Sequence, residues 1–156
     1  MIQKEYGNTP WIRAASCYMR TLIFVQEQKI SPTKEFDSFD TDTTNYLVAY
    51  YNQNPIATAR FYHKDHLLFP GCLCVHKNWR YKGLGSKLLM ELEIRGKLAN
   101  CHTSIISCQK QTIPFFEKLD YQVFGHPYID SGHIWFTLKK ELTNYQLEKI
   151  YQLEHI

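Results

Sequence analysis

Arg80, Gly83 and Gly85 form an R-x-x-G-x-G arrangement within Leu73-Cys-Val-His-Lys-Asn-Trp-Arg-Tyr-Lys-Gly-Leu-Gly-Ser86. The chemistry these residue types suit is anion binding. Leu73, Cys74 and Val75 read as the end of a strand, and Leu84 opens a helical run. The pattern therefore falls on a strand-to-helix junction. A helix start leaves several backbone N–H groups without partners and carries positive partial charge. Glycines let that backbone approach a pyrophosphate with no Cβ in the way. Arg80 and Lys82 add positive charge, and Ser86 adds a hydroxyl. The plain alternative is a glycine-rich turn that only joins two elements, since a pattern this short occurs by chance. Its position at the junction and the apolar face of the following helix favour the phosphate reading. A Walker loop is excluded because the Gly-Lys-Ser/Thr ending is missing. A dinucleotide fold is disfavoured because the pattern lies mid-chain, after antiparallel strands.

The other clusters are weaker. Cys72-Leu-Cys74 with His76 has no second pair of ligands at a zinc-like distance, so no metal site is expected. The five cysteines are odd in number and lie in apolar surroundings, which predicts buried free thiols rather than a disulfide framework.

These residues need elements to hold them. Thr9-Pro10 predicts a helix start with a hydroxyl cap. Trp11, Ala14, Ala15, Tyr18 and Leu22 recur at helical spacing, so this helix should end between Phe24 and Gln28. The acidic stretch from Ser31 to Thr44 reads as a loop. Tyr46–Tyr51 and Ile56–Tyr62 read as a β-hairpin around Asn52-Gln-Asn-Pro55. Leu67–Val75 follows as a strand, with a break at Pro70-Gly71. Leu84, Leu88, Leu89 and Leu92 mark a helix ending near Gly96 or Leu98. Thr103–Cys108 is a short buried strand, Thr112–Leu119 a short helix, and Tyr121–Phe124 and His133–Leu138 are closing strands. The tail from Glu141 to Ile156 suggests a further helix. The order is that of one α/β (α+β) domain with a crossover helix, spanning residues 1–156.

Composition sets the limits. With 44% apolar and 21% charged residues, the chain is globular rather than disordered. A net charge of +3, with scattered Lys and Arg, gives no footprint for nucleic acid. No stretch has the length of a membrane span and Met1–Thr9 lacks a signal-peptide core, so a cytoplasmic address is expected.

On the Arg80–Gly85 loop the sequence resembles the GCN5-related N-acetyltransferase (GNAT) superfamily, whose phosphate loop reads Q/R-x-x-G-x-G/A. Arg20-x-x-Ile-Phe24-x-x-Glu27-Gln28 is similar to the R-x-x-V-F-x-x-E-Q signature of a small bacterial branch of uncharacterised acetyltransferases. Asp37-x-x-Asp40, Ala57-Thr-Ala-Arg60 and Gln109 followed by Ile113-Pro-Phe-Phe-Glu-Lys-Leu119 extend the likeness from about Arg20 to Leu138.

The resemblance implies a mostly antiparallel central sheet flanked by helices and splayed at the coenzyme site. It implies acetyl-CoA as co-substrate, held by Leu73, Cys74 and Val75, by the loop from Arg80 through Ser86, and by Phe115 and Phe116. The reaction it implies is direct attack of a small-molecule or peptide amine on the thioester. A homodimer is a further possibility it offers. An alkylamine with a pKa near ~10.4 is mostly protonated at neutral pH, so a base or water chain must take its proton. Relatives commonly carry a tyrosine as general acid where this chain has Phe116, which has no proton to give. Tyr121, Tyr128 or Cys108 could substitute, or the thiolate could leave unprotonated. The branch also commonly shows G-x-x-H where Gly132-His-Ile-Trp135 stands here.

Glu27, at the end of the first helix, is the candidate base or acceptor anchor, and a solvated helix-end glutamate is an equally good reading. Gln28 and Arg60 are candidate acceptor-binding residues clustered with Asp37 or Asp40, with a structural ion pair as the alternative for Arg60. Gln109 is expected to line the pocket. His63, His66, His76 and His102 read as exposed turn or strand-end residues, and Trp79 as a packing or adenine-side residue. Three rivals remain: a coenzyme-A-binding protein with weak or no transferase activity, an interaction module that binds no coenzyme, and, less favoured, an acyl-homoserine-lactone synthase.

Overall fold

The structure is a computed structural model and describes residues 1–142. The tail helix suggested for Glu141–Ile156 lies almost wholly outside the described residues. Seven strands form one sheet in the order β1-β2-β3-β4-β5-β7-β6. They are β1 (Ile2–Gly7), β2 (Asn45–Tyr51), β3 (Asn54–Lys64), β4 (Leu67–Val75), β5 (Thr103–Cys108), β6 (Gln122–Asp130) and β7 (His133–Glu141). The α-helices are α1 (Pro10–Arg20), α2 (Pro32–Glu35), α3 (Leu84–Leu98) and α4 (Ile113–Glu117). The β1–β2, β2–β3, β5–β7 and β6–β7 pairs are antiparallel, and β4–β5 is parallel. The α3 crossover makes that parallel pair possible, because parallel neighbours cannot be joined by a tight turn. This is the mixed, mostly antiparallel α+β architecture that the family resemblance implied.

Three tight turns show why the hairpins close where they do. Asn52-Gln53, Asp65-His66 and Ser131-Gly132 all have positive φ at both residues, the backbone that matches strand twist in two-residue hairpins. β1 was not anticipated. It is mostly exposed and alternates poorly, and its evidence is the register Ile2↔Tyr51 to Gly7↔Tyr46 rather than a pattern. β4 runs unbroken through Pro70-Gly71, and the irregularity falls instead at Cys72, with φ 51°. β6 extends well past Phe124 through a register shift between Phe124 and Tyr128, with Gly125 at φ 72°. The acidic loop contains α2.

The described chain falls into two compact units, one of residues Met1–Tyr62 and Gly71–Leu89, the other of His63–Pro70 and Met90 onward. In the first unit, Ile12, Tyr46 and Val48 pack with Ala15 and Tyr50, while Met19, Ile23 and Cys74 pack with Leu22 and Phe24. Leu84, Leu88, Leu89 and Leu92 are all buried, as their spacing required.

The predicted cap on α1 is corrected. Thr9 sits at the N-cap position with extended backbone, but its hydroxyl is buried without a hydrogen-bond partner. Only its carbonyl acts, accepting from Arg13 N–H at 3.0 Å. Past Arg20 the helix continues as a π-helical stretch, Thr21–Glu27, in which Gln28 N–H bonds the Ile23 carbonyl five residues back. Thr21 Oγ1 donates to the Cys17 carbonyl at 2.8 Å, a back-bond that bends helices.

The cysteines are free, as expected, although Cys17 and Cys72 are only partly buried. Burial pushes the Cys72 thiol up to about 12, against the pull of Arg20 and Arg60, and raises Cys74 further.

Candidate active site

The glycine loop has the features an anion needs. The first helical N–H with a carbonyl one turn behind it belongs to Lys87, which donates to Gly83 at 3.1 Å. The amides of Leu84, Gly85 and Ser86 precede it in the first turn and have no such carbonyl. Gly83 holds φ +77° with nothing within 4 Å of where a Cβ would stand. The backbone there is bare, and a glycine leaves it open to the close approach of a phosphate. Tyr81 also has positive φ, at 63°, and its ring is fully exposed. Lys82 Nζ lies 5.1 Å over the Trp79 ring, which in turn packs against Tyr51 at 4.9 Å. Trp79 therefore packs and bears a cation at once. The residues fit a pyrophosphate-bearing ligand.

Arg80 does not stand loose beside this loop. Its Nε donates to the Val75 carbonyl at 3.0 Å, capping the end of β4, and its Nη2 donates to Glu27 Oε2. Both side chains are about one-third exposed. The structure thus brings Glu27, proposed from the helix end, into direct contact with Arg80, proposed from the phosphate loop. A cavity of about 260 Å³ opens at the same place, lined by Leu22, Ile23, Gln26, Glu27, His76 and Lys77. His76 Nδ1 accepts the Asn78 N–H at 3.2 Å, which leaves the ring proton on Nε2 in the neutral form.

Sequence reasoning missed Gln26 and His76. His76 was expected to be an exposed strand-end residue, but it is half-buried directly after β4. Gln28, the neighbour of Glu27, is exposed and does not line this cavity.

A second cluster pins the base of the π-helical stretch. Arg20 is completely buried. Its guanidinium forks onto Asp40 at 2.7 and 2.8 Å, and also reaches Glu35 Oε1 at 2.9 Å and the Glu35 carbonyl at 2.8 Å. Arg60 Nη1 joins Asp37 at 2.9 Å and Asp40 at 3.0 Å, and Tyr46 O–H donates to Asp40 at 2.8 Å. Burial alone would raise the Asp40 carboxyl, but Arg20, Tyr46 and Arg60 hold it well below the usual range. At Glu35 burial wins and the carboxyl is raised, despite Arg20. Arg60 is thus held by Asp37 and Asp40, the ion-pair alternative. The acidic loop spends Asp37 and Asp40 on these two arginines. Asp42 is the exposed exception, 3.4 Å from Arg13.

The second unit holds the remaining candidates. Tyr121 is 1% exposed, with its hydroxyl between Ser104 Oγ at 2.8 Å and Glu93 Oε1 at 3.2 Å. Glu93 is itself buried and pairs with Lys140 at 2.8 Å. This arrangement argues against Tyr121 as a general acid, because a hydroxyl enclosed by its own network cannot reach a departing thiolate. Tyr128 O–H donates to Ser107 at 3.1 Å, and burial raises the Cys108 thiol to about 11. Phe116 is buried and meets Phe115 and Tyr121 edge-on at 5.1 and 5.8 Å. Gln109 accepts from Gln111 Nε2 at 3.1 Å at the start of a 3₁₀ turn. Trp135 Nε1 donates to the Asp130 carbonyl at 3.2 Å, and His133 is exposed. Among the described residues no group of three or more His, Cys, Asp or Glu is placed to hold a metal ion.

The sequence model of the Acetyltransferase (GNAT) family matches residues 11–121. The chain belongs to the GNAT acetyltransferase family. It is accordingly an acyl-CoA-dependent N-acyltransferase by family. The uncharacterised N-acetyltransferase YjcF of Bacillus subtilis is 28% identical over 116 residues, covering 74% of this chain and 82% of the relative. A Lactobacillus plantarum crystal structure with a provisional N-acetyltransferase name has 31% identity and a TM-score of 0.86, covering 90% of this chain and 98% of that one. An acyl-CoA N-acyltransferase structure from Pseudomonas aeruginosa, 19% identical with a TM-score of 0.78, covers 90% of this chain and 99% of that one.

Proposed function

We propose that this GNAT protein transfers an acetyl group from acetyl-CoA to the amine of a small molecule or peptide. The carrying observation is the bare, positive-φ Gly83 backbone at the start of α3, in the same compact unit as the cavity lined by Glu27 and His76. The amides of Leu84–Ser86 and the charges of Arg80 and Lys82 would hold the pyrophosphate, and Leu73–Val75 would align the pantetheine arm. Acetyl-CoA supplies the thioester carbonyl that the amine attacks. Glu27 is the anion that would hold the incoming ammonium and accept its proton, directly or through water. His76, with its proton on Nε2, can donate a hydrogen bond within the cavity. The family match runs through both compact units, which supports reading the chain as one acetyltransferase domain. Since the relatives above are bacterial, we place the reaction in the bacterial cytoplasm.

Incubation of the protein with acetyl-CoA and a panel of primary amines, read by release of free thiol, tests this reading. Amine-dependent release supports it. A specific observation favours a second reading, a coenzyme-A-binding protein without turnover: Phe116 has no proton to give and Tyr121 is enclosed. Tight coenzyme binding with no release across the panel would select that alternative.

A further inference from the structure

Glu27 belongs to two sites at once. It lines the cavity, and it holds the guanidinium of the arginine that introduces the phosphate loop. Arg80 has five N–H donors in a rigid fork. Val75 takes Nε and Glu27 takes one on Nη2. Arg80 opens the turn whose Gly83–Ser86 amides would hold a pyrophosphate, so a bound coenzyme would offer this guanidinium a second, more highly charged acceptor.

We propose that Glu27 and Arg80 form a coenzyme-controlled couple: coenzyme phosphate competes with Glu27 for Arg80, and the carboxylate thereby released is what recognises a cationic amine. This rests on the acetyl-CoA reading above and adds a direction to it. The coenzyme-free protein keeps its carboxylate neutralised by Arg80, and the coenzyme-loaded protein presents it to the cavity. The acceptor class is then an ammonium-bearing compound, and its binding is coupled to that of the coenzyme, each strengthening the other. Glu27 in this scheme opposes coenzyme binding. The opposite sign would follow if it merely steadied Arg80.

Partial exposure sets the size of the effect. An exposed ion pair is worth about 0.2–1 kcal/mol, so relieving the competition should tighten coenzyme by about 1.4-fold to fivefold. Calorimetric titration of coenzyme A, which cannot transfer an acyl group, into wild type, Glu27→Gln, Glu27→Ala, Arg80→Gln and the Glu27→Gln/Arg80→Gln double variant tests the couple. We expect both Glu27 variants to bind more tightly than wild type, Arg80→Gln to bind more weakly, and the gain from Glu27→Gln to vanish in the Arg80→Gln background. A merely structural role for Glu27 would not produce that vanishing gain. Unchanged or weaker binding by both Glu27 variants, or the same gain with Arg80 absent, overturns the couple while leaving the acetyl-CoA reading intact. Absence of binding by wild type overturns both.

Discussion

Replacing Tyr121 by Phe separates a structural tyrosine from a catalytic one. The change removes a single oxygen from a site that is 1% exposed. It breaks the 2.8 Å bond with Ser104 and the 3.2 Å bond to Glu93, while Glu93 keeps Lys140 at 2.8 Å. A hydrogen bond to a charged group contributes about 1.5–3 kcal/mol, and a buried hydroxyl left unpaired costs about 1–3 kcal/mol. Retention of the Lys140 pair and of the ring packing on Phe116 puts the expected loss near the lower figures, at about 2 kcal/mol. For a chain of this size that lowers Tm by about 4–8 °C. Urea denaturation would give the free energy, and thiol release from acetyl-CoA at 20 °C, well below the lowered Tm, would give the turnover. The structure predicts a clear stability loss with turnover within about twofold of wild type. An unshifted denaturation midpoint together with a hundredfold loss of turnover would refute the structural assignment and restore Tyr121 as the acid, since a positioned proton donor is worth about that much.

Two further outcomes follow from buried contacts. Asp40 titrates below its unfolded value, so its contribution is present above about pH 4 and is lost as the pH falls into the strongly acid range. The urea midpoint should therefore drop between pH 6 and pH 3, and Asp40→Asn should be less stable at pH 6 with a shallower drop; an equally steep drop would exclude Asp40 as the source. At Gly96 an added Cβ would stand 2.8 Å from Leu68 Cδ2, a residue with no exposure. The helix-propensity gain of about 1 kcal/mol for Gly96→Ala should then be cancelled or reversed by overpacking that costs about 1–3 kcal/mol, and a net gain in stability would contradict the close packing.

The sequence carried the phosphate loop because its features are local: glycines, a strand end and a helix start within a few residues. The same holds for α3, where four leucines at helical spacing left one face to bury. β1 was illegible because an exposed edge strand needs no alternation, only a partner. The π-helical stretch was illegible because Thr21 bonds back to Cys17 without altering the residue pattern. The contact between Glu27 and Arg80 joins residues 53 apart in sequence, and His76 acquires its place in the cavity from the same long-range packing. Sequence spacing does not encode such proximity. The role of the acidic loop was illegible for a related reason: the charges of Asp37 and Asp40 were visible, but the arginines that neutralise them come from α1 and β3.

Calorimetric titration of acetyl-CoA into wild type and Gly83→Ala tests most directly whether the Gly83 turn holds the coenzyme. With open space around the Cβ position, the variant should lose only the roughly 1–2 kcal/mol that an L residue incurs at this positive φ. Its acetyl-CoA affinity should fall by at least about tenfold, because the new methyl group occupies the space the phosphate needs. Saturable binding by wild type with that loss in the variant is the predicted result. Equal affinity in the two proteins, or no binding by wild type, would contradict the account.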